Sequence, residues 1–433
     1  MRPLVVLAVL LAAAGCRTTA LPPPPEPVTV EEEPGAVEEE TPVEPPMRIA
    51  EEVPADKPPP PDVPPGVYES RSHYPQAGVT EWRLTNGVRL GFKPSPDEPR
   101  RVRFLVSAPG GLRAVPDSLA AGVFAEADAS ALFSLHMTGE DTVLEGAAAT
   151  RDLSDALRAM AEMLGEPPRA RGRVSLTAER ALTLLLAGTP FALTGAPGGD
   201  GLGYARLLSD PRNLLVVVVG DAAPAEVERA AAAFVRLRPS FRDLVADSTS
   251  VPPPRVPRRS TELILPAHAE GAGAIGFRGT VTADYDARAG LEVLGHRLAE
   301  EVSDRIGAPV RHEVALDFPS GVAEVRLLVD EAVDGERFRD AVLREANALR
   351  TGTVGESDLA RSRAAARAAH EALLGTNEGW AAWLTRLLRF DHDTREALAF
   401  GRRLSGVPAD RVRTLALAVL DPDRYVLVVQ PAE

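Results

Sequence analysis

EWRLTNGVRLGFKPSPDEPRRVRFLVSAPGGL, residues 81–112, decides how the rest of the chain is read. Trp82, Leu84, Val88, Leu90 and Phe92 alternate with polar or small residues on either side of Asn86-Gly87, a dipeptide that reaches the φ > 0 turn of a β-hairpin at little cost. A second apolar strand is expected over residues 103–107, and Pro109-Gly110-Gly111 stops it.

Upstream of this stretch the composition changes sharply. Of 433 residues, 45% are hydrophobic and 25% charged, enough to bury a large core divided over more than one domain. Aromatic residues make up only 5%, so Leu, Val and Ala must fill that core. The chain opens on Arg2, an apolar run over residues 4–13 that is too short to span a bilayer, and then Ala13-Ala14-Gly15-Cys16. Residues 1–16 therefore have the pattern of a bacterial lipoprotein signal peptide, with Cys16, the one cysteine of the chain, as the lipid attachment site. Acyl chains there would hold the protein on a membrane, at about 0.8 kcal/mol per buried methylene. Residues 21–65 contain sixteen prolines and twelve acidic residues against Arg48 and Lys57 alone, so no core forms there. Residues 17–77 are expected to be a disordered Pro/Glu-rich tether. The acidic balance, −14 overall, disfavours a nucleic-acid partner.

The body repeats itself. Asp210-Pro211-Arg212-Asn213-Leu214 leads into LVVVVGD, and Asp421-Pro422-Asp423-Arg424-Tyr425 leads into VLVVQP. From position 210 to position 421 the separation is 211 residues, too long for a solenoid repeat, so two tandem homologous α+β domains are expected. They cover residues 78–238 and 261–433, with a proline-rich linker at 239–260. In the first, a strand at 143–149 precedes a helix with Leu153, Leu157, Met160 and Leu164 on one face; a second helix at 177–186, a strand at 214–219 and a helix at 224–235 follow. In the second, strands fall at 262–265, 274–277 and 322–329, and helices at 284–306, 335–349 and 357–374.

The supply of metal ligands is thin. None of His73, His136, His268, His296, His312, His370 and His392 stands in a His-x-x-Glu-His or His-Glu-x-x-His setting. His296 and Glu300, four apart on a helix, read as an ordinary polar pair beside Leu294 and Leu298, and Asp391-His392-Asp393 reads as an exposed loop. GAPGGDGLG, residues 195–203, follows no strand and lacks Gly-Lys-Ser/Thr, so it is not read as a phosphate loop. No serine occupies a nucleophile elbow. Cys16 is the one site residue assigned, with no catalytic, cofactor or metal residue.

The hairpin through Leu84-Thr85-Asn86-Gly87, then Lys93-Pro94, then a strand closing in Ser107-Ala108-Pro109-Gly110-Gly111-Leu112, resembles the pitrilysin/insulinase family of inverted-zincin peptidases, which includes inactive members. In active members the next segment is a helix carrying His-x-x-Glu-His; here it is residues 113–124, RAVPDSLAAGVF, with no histidine and Asp117 as its only carboxylate. Inactive halves of the family contact substrate through an Arg four residues before a Gly and a Tyr three after it. Around Gly307 those positions hold Ser303 and Val310, and Arg305 lies two residues out of register. The resemblance thus implies a pseudopeptidase without a cofactor, and the leader with Cys16 makes it membrane-anchored and periplasm-facing in a bacterial envelope, at the outer membrane because Arg17 and not Asp follows the cysteine. Its implied partner is an active zinc-peptidase subunit in a heterodimer, or a second copy in a homodimer, with a peptide as a further ligand. The alternatives are a zinc peptidase with a dispersed site drawing on His136, His296 and Glu300, and an envelope structural lipoprotein.

Overall fold

The computed structural model describes residues 51–52, 66–109, 111, 133–137, 141–165, 177–187, 210–238, 254–268, 271–352 and 354–433. Cys16, residues 113–124 and residues 195–203 lie outside these. The strands of the N-terminal part are β1 (Glu51–Glu52), β2 (Tyr68–Tyr74), β3 (Val79–Leu84), β4 (Arg89–Pro94), β5 (Arg101–Pro109), β6 (Phe133–Met137), β7 (Asp141–Ala149) and β8 (Leu215–Gly220). Its helices are α1 (Leu153–Gly165), α2 (Ala178–Ala187) and α3 (Pro224–Ala231), the last continuing as a 3-10 turn over Ala232–Arg236. The C-terminal part follows as β9 (Thr261–Ile264), β10 (Ala272–Thr280), α4 (Tyr285–Ile306), β11 (Arg311–Asp317), β12 (Val322–Val329), α5 (Gly335–Thr351), α6 (Glu356–Leu374), α7 (Asn377–Arg389), α8 (Arg395–Ser405), α9 (Ala409–Val419) and β13 (Tyr425–Gln430).

The alternating residues around Asn86-Gly87 do form a hairpin. Trp82, Leu84, Val88, Leu90 and Phe92 are all buried, and Gly87 takes φ 97°, a value that favours glycine. The Asn86 amide donates to the carbonyls of Phe234 (2.8 Å) and Leu237 (3.0 Å), tying the turn to the end of the α3 segment. The ordered sheet begins earlier than residue 78: β2 pairs with β3 from Tyr68↔Leu84 to Tyr74↔Val79, so the tether expected over 17–77 is too long at its C-terminal end. The reason is that YESRSHY is a polar, half-exposed strand with no apolar alternation to mark it.

The repeat seen in the sequence is a repeat of topology. One sheet runs β1-β2-β3-β4-β8-β5-β7-β6 and the other β11-β12-β10-β13-β9. In the first, β8 lies parallel to β4 and antiparallel to β5; in the second, β13 lies parallel to β9 and antiparallel to β10. Each of these central strands starts from an aspartate turn: Asp210 accepts from the Arg212 N–H and Asp421 from the Asp423 N–H, both at 3.0 Å. Both sheets belong to one unit spanning Ile49–Glu433.

Each sheet is covered on one face by its own helices and on the other by a helix of the opposite half. Along β8, Val216 and Val218 face a core with Leu157, Met160 and Phe234, whereas Leu215, Val217 and Val219 face a core that includes Trp380, Leu384, Leu387 and Leu388 of α7. In return, Leu182 and Leu186 of α2 cover Ala274, Leu328, Val426 and Val428 of the second sheet. Burying a leucine this way stabilises by about 1.5–3 kcal/mol. A line of charges accompanies α2. Glu179, Thr183 and Leu186, spaced along one helix face, receive Arg311 (3.6 Å), Arg326 (3.0 Å) and Arg278 in turn, one arginine from each of the neighbouring strands β11, β12 and β10.

The helix expected at 357–374 is α6, which stops at Leu374, and Thr376 caps a further helix by accepting the Gly379 N–H at 3.0 Å.

Candidate functional site

Of the residues a dispersed metal site would need, His296 and Glu300 each turn to other partners. His296 meets His312 edge to face with ring centroids 4.1 Å apart, and His312 Nε2 lies 3.8 Å from Glu292. Glu300 turns instead to Arg297 (3.4 Å) and Arg361 (3.9 Å). His136 lies on β6, and its side chain is outside the described residues. Among the described residues no group of three or more His, Cys, Asp or Glu side chains is placed to hold a metal ion. The segment that follows β5, residues 113–124, does not fit zinc either, because its donor set is one carboxylate and no imidazole.

Electrostatics around α4 follow from burial. Burial, and then the neighbouring His312, push the His296 imidazole down to about 4. Burial alone would raise Glu292, but the Arg288 guanidinium and His312 outweigh it and hold that carboxyl at about 2. An unfolded chain binds a proton at His296 near pH 6.5 whereas the folded one refuses it until about 4, so folding loses stability as pH falls through that window. His296→Gln is therefore expected to lose less stability between pH 7 and pH 4.5 than the native chain, by about 1 kcal/mol after allowing for solvent screening. Urea unfolding at both pH values checks this, and identical pH dependence would refute it.

Ser303, Val310 and Arg305, to which no substrate-contact role was carried over, have local structural roles. Ser303 Oγ accepts from the Val310 N–H at 3.0 Å, closing the turn around Gly307, which ends α4 at φ 74°. Arg305 donates through Nε to Glu345 of α5 at 2.7 Å.

A concave site appears elsewhere. A cleft of about 490 Å³ is formed where the start of α4, the β11–β12 turn, the α7–α8 loop and α8 meet. Its walls include Tyr285, Phe318 and His392, whose ring centroids lie 4.6–5.3 Å apart pairwise. Tyr285 Oη and His392 Nδ1 are 2.7 Å apart, and burial lowers the affinity of His392 for a proton. The Asp391-His392-Asp393 loop is thus a cleft wall as well as an exposed connection: Asp391, at φ 51°, reaches Arg89 at 2.8 Å, and Asp393 binds the Arg395 N–H at 2.9 Å. Sequence reading singled out this loop but not Tyr285 or Phe318, which no local pattern links to it.

No family sequence model and no curated protein sequence matches this chain. Solved structures do. A protease from Helicobacter pylori matches with a TM-score of 0.59 at 12% identity, over 82% of this chain and 99% of that one. The periplasmic protease PqqL from Escherichia coli matches at 0.58 and 14%, over 86% of this chain and 47% of its own. A peptidase M16 inactive domain from Pseudomonas fluorescens matches at 0.54 and 15%, over 82% and 98%. The fold of this chain is therefore that of the M16-like, pitrilysin-type peptidases, an arrangement that an inactive domain of that kind also adopts.

Proposed function

We propose that this chain is a non-catalytic half of a peptide-processing assembly, held at the bacterial envelope through lipidated Cys16 and paired with an active zinc-peptidase subunit. The observation that carries this reading is that the segment after β5, where the resemblance places the zinc-binding helix, reads RAVPDSLAAGVF. An M16 half with that segment keeps the shape of the enzyme and lacks its ligands. Spanning 47% of PqqL supports pairing, since a half-length chain needs a second half to match that protein. Among the described residues no helix is long and apolar enough to cross a membrane; the anchor of this reading is the lipid on Cys16, at the end of the apolar leader. The division into an N-terminal domain up to 238, a linker at 239–260 and a C-terminal domain at 261–433 belongs to the same proposal, with the first domain beginning at β2 and not at residue 78. Pull-down from native membranes with a tagged copy tests it. The expected result is co-recovery of a chain with an intact His-x-x-Glu-His motif, or a homodimer, through an interface above about 1,000 Å². A Cys16→Ser copy is expected in the soluble fraction. Recovery of monomer alone from membranes that contain such a peptidase would overturn the proposal.

A further inference from the structure

We propose that the outer edge of β2 is a docking site for a strand of the chain's own Pro/Glu-rich segment, and that this strand, centred on Glu51-Glu52, is a strap that lifts. Glu51 lies opposite His73 and Glu52 opposite Ser72, antiparallel to β2 and outermost in the first sheet. The unit that holds both sheets accordingly begins at Ile49, well ahead of β2.

The sequence selects this stretch as the occupant. Ile49 to Val53 lie in a run free of proline, between Pro46 and Pro54, and pairing needs that freedom because proline has no N–H to give a neighbouring strand. Ile49 and Val53 are strand formers, whereas the proline-free run at 35–41, GAVEEET, has Val37 as its only aliphatic beyond alanine. Charge agrees: the strand that receives Glu51-Glu52 carries Arg71 and His73 against one acid, Glu69.

The shortness of the dock makes it a strap. Two paired residues at a sheet edge open at the low end of the free-energy range of a folded protein. Once lifted, the strap leaves Ser72 and His73 on an open edge ready to pair. On the reading that Cys16 holds the chain on a membrane, lifting also frees residues 49–67 and lengthens the tether by about 60 Å, at ~3.1 Å per residue.

The test uses the full chain with Cys16→Ser, so that introduced cysteines are the only ones. With Glu51→Cys/His73→Cys the thiols stand on directly opposite residues of antiparallel strands, a spacing that a disulfide spans. With Glu52→Cys/His73→Cys they are one residue out of register and belong to opposite faces. Both variants lose the same contact of His73 with Thr80, so it explains no difference between them. In oxidised glutathione the first pair is expected to close about tenfold faster than the second. Hydrogen–deuterium exchange is expected to be slower over 49–53 than over 28–44. Glu51→Pro/Glu52→Pro, with no N–H to offer at either position, is expected to remove that protection and to speed exchange within 68–74. Equal closure rates for the two pairs, or exchange over 68–74 unchanged by the prolines, overturns the proposal. Neither measurement needs a lipid or a partner subunit, so failure here is distinct from failure of the fractionation or the pull-down.

Discussion

Glu324→Leu is expected to destabilise the protein by roughly 3–5 kcal/mol, the cost of leaving buried charge without its counter-ion. Glu324 is 4% exposed and sits between Arg278 and Arg326, both of which address its carboxylate. Burial acts to raise its proton affinity, and Arg326 and Arg278 more than reverse that, so it is ionised in the folded state. Without it two guanidiniums face each other below α2. Arg278 would retain only carbonyl acceptors, of Leu186 and of Arg255 at 3.4 Å. Arg326 would retain Thr183 at 3.0 Å and Glu313 at 3.6 Å. The expected control is Arg278→Met/Glu324→Leu/Arg326→Leu, in which an apolar set of similar volume recovers most of the loss. Urea midpoints that place Glu324→Leu within about 1 kcal/mol of the native chain would mean that water or rearrangement satisfies the arginines.

The second large effect is expected at Gly279 on β10. A Cβ there would lie 1.9 Å from the Ala418 carbonyl oxygen and 2.8 Å from Val419 Cα, both backbone atoms of α9. Gly279→Ala must therefore move a helix off the sheet, at about 3 kcal/mol or more. Gly91 on β4 makes an instructive contrast. Its added Cβ would meet Leu388 Cδ1 at 2.3 Å, the end of a rotatable side chain, with the next atom at 3.8 Å. Gly91→Ala is expected to cost about 1 kcal/mol, and Leu388→Ala in the same chain should remove most of that extra cost by leaving room. If thermal and urea unfolding rank Gly91→Ala as the more damaging of the two, the close approach of α9 to β10 is not what holds this face together.

What sequence alone revealed follows from which signals are local. β3, β4, β7, β8 and β12 were legible because alternation and turn residues act within a few positions, and α1, α4, α5 and α6 because each keeps a polar face. α7 is not among the helices expected from the sequence. Trp380, Trp383, Leu384, Leu387 and Leu388 are all buried, since the helix lies between the first sheet and the helices of the second half. β11 was missed because RHEVALD is an edge strand with a polar, half-buried pattern. The cleft was invisible because positions 284–286, 318 and 392–403 meet only through the packing of four elements.

The mutual covering of the two sheets, α2 over the second and α7 over the first, bears on where such a chain came from. A chain of only one unit would carry a sheet with one face bare and a covering helix with no sheet of its own to cover. Two copies of it would resolve both problems at once by trading helices, in the manner of a domain-swapped dimer. The present chain then reads as that dimer made continuous by fusion, and the matching aspartate turns at Asp210 and Asp421 as relics of identical subunits. A split chain, cut within residues 239–253 and expressed as two pieces, is expected to reassociate, because each piece alone lacks its cover and both together possess it.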